Sequence, residues 1–139
     1  MLKFAIGCTL LLASLMLVGV GGIMLFAPDI LHAKNGVTLG NNPNLLSEIR
    51  APGGFLLSAG GIIVASAMLG RMQRHALALT ALIYGSFGIA RLFAMNVDGM
   101  PVQPLVFVTG LEIGVGAIAT ILAYLEYSRT QLAKDAVQM

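Results

Sequence analysis

Along the chain, four long apolar stretches alternate with short polar ones: residues 4–27, 51–70, 76–96 and 101–125. A helix that crosses a bilayer needs about 20 mostly apolar residues at about 1.5 Å each, and all four stretches are that long. The runs are continuous. A β-barrel would alternate lipid-facing and inward-facing residues with period two, so the pattern predicts an all-α integral membrane protein, a four-helix bundle in a single domain over 1–139. The apolar run that starts at Phe4 exceeds 20 residues. A cleaved signal segment carries only about 7 to 15, so the first stretch reads as a retained span.

Composition sharpens this picture. Hydrophobic residues make up 58% of the 139 and charged residues 10%, against about 25% charged in an ordinary soluble domain. Mean hydropathy is +0.90. The net charge of +2 leaves no footprint for nucleic acid, which is excluded as a partner. Cys8 is the lone cysteine, so one chain can form neither a disulfide nor a thiol pair. His32 and His75 fall outside the spans, so no haem and no metal site is expected. The signatures HExxH, GxSxG and CxxC, and a phosphate-cradling glycine loop, are missing, and no cofactor and no enzymatic activity are expected. The eight methionines read as gap fillers.

Basic residues in short loops favour the cytoplasmic side. Lys3, Arg71, Arg74, Arg129 and Lys134 all fall on the side shared by the two ends, which predicts that the N-terminus and the C-terminus are cytoplasmic. The other side holds Pro28 to Asn44, rich in Asn, Gly and Pro and read as irregular structure with His32 in it. It also holds the short Asn96 to Pro104 turn, where Asp98-Gly99 is a turn signal and Pro101 suits a helix start.

Pro52 lacks an N–H, so a start of the second helix near Arg50 or Ala51 puts it in the first turn, where no bond is lost. Glu48 and Arg50 then sit as a pair at the outer water interface. Arg91 and Glu112 lie inside spans, where an ionisable group costs at least about 2.5 kcal/mol unless it finds a partner or water. Arg91 lies about 7 to 8 Å below the outer boundary and Glu112 about 12 Å. Helix side chains tilt towards their own N-terminus, and these two helices run in opposite directions, so the two heads converge. An Arg91–Glu112 ion pair is expected, joined from above by Glu48 and Arg50. Removing one buried partner would cost about 3 to 5 kcal/mol. Tyr84, on the face of Arg91 with Gly88 between them, would line a pocket beneath the guanidinium, while Glu112, Gly116 and Thr120 form a row on the fourth helix. Such a pocket suits a small anionic headgroup or a carboxylate. Small residues mark the packing faces: Gly53, Gly54 with Ser58, Gly61 with Ala65, Gly88, Gly110 with Gly114, and the run Gly19 to Gly22.

Taken together, "NLLSEIRAPGG", "GIARLFAMNVDGMP" and "GLEIG" resemble the domain of unknown function 4345 family, small four-helix bacterial membrane proteins. The likeness spans Leu45 to Tyr127. It implies matching positions at Glu48, Arg50, Gly53, Gly54, Gly88, Arg91, Asp98, Gly99 and Glu112, and a place in the bacterial inner membrane. In architecture the family is similar to the DoxX-like group. Neither likeness implies an activity. Two functions are therefore expected to compete. One is a binding or accessory subunit, in contact with lipid and with another membrane protein or itself, whose polar cluster of Glu48, Arg50, Tyr84, Arg91, Asp98 and Glu112 fixes the bundle or holds a lipid. The alternative is a homo-oligomeric carrier of a small anion or a proton that works through Arg91 and Glu112.

Overall fold

The computed structural model describes residues 1–138, and the side chain of Lys134, used above to orient the chain, lies outside what is described. Five helices follow in order: α1 (Leu2–Phe26), α2 (Pro28–Lys34), α3 (Pro43–Leu69), α4 (Gln73–Val97) and α5 (Gln103–Gln138). Four of them are long and apolar enough to cross a bilayer. Their outward faces are greasy. Leu12, Phe55, Ile62, Leu82, Ile89, Phe93 and Phe107 are each more than half exposed, a surface that water tolerates poorly.

Two boundaries differ from the sequence reading, each for a local reason. Pro28 to Asn44 is not wholly irregular. Pro28 starts α2 with its fixed φ, and Asp29 sits in the first turn, where the helix dipole favours an anion. His32 closes this helix on itself, its Nδ1–H donating to the Pro28 carbonyl at 2.8 Å. The second long helix starts at Pro43, not near Arg50. Asn42 caps it by accepting from the N–H groups of Asn44 (3.0 Å) and Leu45 (3.4 Å), and Pro43 fills the first position, where no donor is needed. Pro52 is thus inside α3. The Glu48 carbonyl loses its amide partner, and both residues lie on exposed surface at the helix end.

Both ends of the last helix also shift. Helix α5 starts at Gln103, with Pro104 rather than Pro101 in its first turn, and continues to Gln138, well past the apolar run. Between α3 and α4 the chain turns through two left-handed residues, Gly70 (φ 62) and Met72 (φ 56). Ser66 Oγ donates to the Arg71 carbonyl at 2.5 Å across that turn.

The bundle is built from two tight antiparallel pairs. In the first, a Cβ added to Gly21 of α1 would lie 2.5 Å from the backbone nitrogen of Leu57 in α3. One on Gly53 would lie 2.7 Å from the Met24 Cβ, and one on Gly60 2.8 Å from Val18. In the second, α4 and α5 meet through Gly88 against Ile113 and through Gly116 against Gly85. These pairs join more sparsely, in the ring order α1, α3, α4, α5, and among the described residues α3 and α5 make no close backbone approach. Ile6, Leu10, Leu17, Ile63 and Leu77 fill the shared core.

The small residues named from sequence divide on this geometry. Gly53 and Gly88 are at contacts, whereas Gly54, Gly61, Gly110 and Gly114 have open space where a Cβ would be. Of Gly19 to Gly22, Gly21 alone packs against another helix.

Candidate functional site

Gly88 sets the geometry of the polar site. Having no side chain, it lets α5 come close enough that an added Cβ would stand 2.7 Å from Ile113 Cγ1 and 3.5 Å from Glu112 Cβ. One turn further along α4, Arg91 leans back towards Gly88 while Glu112 leans towards the start of α5. Arg91 Nε–H donates to Glu112 Oε2 at 2.9 Å. The expected ion pair is formed. Its members are unequal, because the Glu112 side chain is 11% exposed and that of Arg91 34%.

A partly enclosed pocket of about 200 Å³ opens beside this pair at the α4–α5 turn, with Arg91, Asp98, Thr109, Leu105 and Pro101 in its wall. Thr109 is buried, and its hydroxyl donates to the Leu105 carbonyl at 2.9 Å. Asp98 closes α4 through its N–H to the Ala94 carbonyl at 2.7 Å, and no cation of the described residues pairs with its carboxylate.

Three members of the cluster expected from sequence go elsewhere. Arg50 does not join Arg91 and Glu112. Its guanidinium NH1 donates to the Leu25 carbonyl at 2.5 Å, one of the carbonyls left unpaired at the end of α1, where the dipole favours a cation. Nor do Glu48 and Arg50 pair with each other. They share one helix two residues apart, and such positions point in different directions. Tyr84 turns from the pocket to α1, its hydroxyl donating to the Ala13 carbonyl at 2.6 Å in the buried core. Thr120, in the row with Glu112, donates back to the Gly116 carbonyl at 2.8 Å.

One contact carried no recognisable sign in the sequence. The Arg74 guanidinium lies 4.6 Å from the centre of the Tyr127 ring, a cation–π contact that ties α4 to α5 at the end opposite Arg91. Because α5 outruns its apolar segment, Tyr127 is carried alongside the start of α4. Nothing local to either residue reports this.

Four helices long and apolar enough to cross a membrane, with an ion pair and a small pocket near one end, define the class as an all-α bundle of membrane-spanning dimensions. Within that class the chain belongs to the family described as Domain of unknown function (DUF4345), which matches residues 6–123. No curated protein and no solved structure matches it.

Proposed function

We propose that this chain is a small multi-pass protein of the bacterial inner membrane, with both ends cytoplasmic, that acts as a non-enzymatic binding or accessory subunit of a membrane complex. The observation that carries the reading is the Arg91–Glu112 pair, held between α4 and α5 with a third of the arginine side chain open beside a small pocket. This arrangement suits the holding of a partner or ligand, because the Thr109 hydroxyl in the pocket wall is committed to a carbonyl and offers no activated nucleophile. The broad exposed apolar surface supports placement in lipid, where contacts with another membrane protein would be made within the bilayer.

A carrier is the weaker reading. Between the pair and the opposite end the described core is filled by Leu10, Leu17, Ile63 and Leu77, which favours transport between copies over a path through one chain. Native mass spectrometry of the untagged protein, gently extracted from its own membrane, tests the proposal. Co-migration with other polypeptides at fixed stoichiometry is expected. A homo-oligomer alone, with anion or proton flux in vesicles that disappears in Arg91→Ala, would replace the accessory reading with the carrier.

A further inference from the structure

The pocket at the α4–α5 turn carries two charges of opposite sign that do not meet. Arg91 has five N–H donors, and only its Nε–H has a partner, Glu112, among the described residues. Four donors remain available. Asp98 follows Arg91 by seven residues, two helical turns or about 10.5 Å along α4, so both lie on the same side of the helix and line the same pocket. The arginine also leans towards the N-terminus of α4, away from Asp98. That direction keeps cation and anion apart and leaves room for a ligand to bridge them.

From this geometry we infer that the pocket holds a small zwitterion, a phosphate ester carrying a short primary amine, with its phosphate on Arg91 and its ammonium on Asp98. The inference rests on the binding role above only for placement in the membrane. Guanidinium donors match a phosphate with two parallel hydrogen bonds. A purely anionic headgroup would meet repulsion from Asp98. A quaternary ammonium is disfavoured as well, because it is recognised by aromatic faces and the pocket wall has no aromatic residue. Only an amine with N–H donors satisfies the carboxylate. Size agrees, because 200 Å³ is below the roughly 300 Å³ of pockets for larger ligands, yet is room for about seven waters at about 30 Å³ each.

The same chemistry occurs in the headgroup of an ethanolamine phospholipid and in free phosphoethanolamine. Phe93, Val97 and Met100, next in sequence to the lining residues Ala94, Asp98 and Gly99, are 68%, 64% and 73% exposed and offer acyl chains an apolar surface, which favours the lipid.

The test is native mass spectrometry of the full chain, released from micelles that contain ethanolamine, choline or glycerol phospholipids of identical acyl chains. The wild type is expected to retain the ethanolamine lipid about tenfold over the choline lipid, the value of one charge-assisted hydrogen bond. Asp98→Asn should bring that ratio to about one without lowering retention of the choline lipid. Arg91→Lys keeps a cation for Glu112 but loses the planar fork, and should weaken retention of both lipids. Equal retention in the wild type, or an unchanged ratio in Asp98→Asn, would overturn the inference. Soluble phosphoethanolamine is then added in excess. Displacement of the lipid assigns the site to the free zwitterion and persistence assigns it to the lipid, and either result upholds the site. Headgroup preference is read on the isolated chain, so its failure leaves the accessory-subunit reading standing, and the absence of partner proteins would leave the pocket standing.

Discussion

Arg50 and Arg91 carry the same guanidinium into two different tasks, and the neighbouring backbone decides which. Arg50 faces the C-terminal end of α1 and caps a carbonyl. Arg91 faces a glutamate brought near by Gly88. Because Glu112 is the more deeply buried partner, the pair should respond unequally to truncation. Arg91→Ala strands a buried carboxylate and should cost about 3 kcal/mol, at the lower edge of the range for buried pairs. Glu112→Ala leaves an arginine that can turn to water and should cost about 1 kcal/mol. Reversible unfolding of the two variants in mixed micelles measures the difference. Equal losses would mean that the pair is more evenly solvated than its geometry implies. That these two residues would meet was legible in the sequence, because helix direction and side-chain tilt need only the order of the spans. The separation of Arg50 from them was not legible, since a cap offered by another helix leaves no local pattern.

Among the helices, glycine content alone does not mark an interface. Gly60 and Gly61 are neighbours in sequence, yet a Cβ on the first would press on Val18 at 2.8 Å while one on the second meets open space. About 100° of helical rotation separates them. Gly60→Ala should push α1 from α3 and cost about 1 to 3 kcal/mol, as overpacking does. Gly61→Ala should be neutral or stabilise by up to about 1 kcal/mol through helix propensity. Thermal unfolding of each variant, followed by far-UV circular dichroism, reads this contrast, and similar losses in both would show that the outer face of α3 is also packed. The start of α3 teaches the same lesson in another form. Pro52 argued for a late start, but Asn42 and Pro43 form a complete cap nine or ten residues earlier, and continuing a capped helix through one proline loses a single bond at an exposed end.

For the whole molecule, the weak seam is the one between the α1–α3 and α4–α5 pairs. Tyr84 crosses it, tying α4 to the Ala13 carbonyl of α1. Tyr84→Phe keeps the ring and loses the hydrogen bond, which should cost about 0.6 to 1 kcal/mol. Cysteine crosslinks engineered within each pair should form as before, while those between α1 and α4 slow. Unchanged α1–α4 crosslinking would place the seam's strength in apolar packing instead. By itself the sequence determined the number of long apolar helices, their approximate spans, the family likeness and the meeting of Arg91 with Glu112, because each follows from hydropathy, residue order and the fixed geometry of an α-helix; the short helix α2 it did not show. Only the tertiary structure decided which glycines touch, that Arg50 serves α1 and that Tyr84 reaches across the core. Those outcomes depend on how each helix is rotated about its own axis, and rotation is settled by the packing of all four long helices at once.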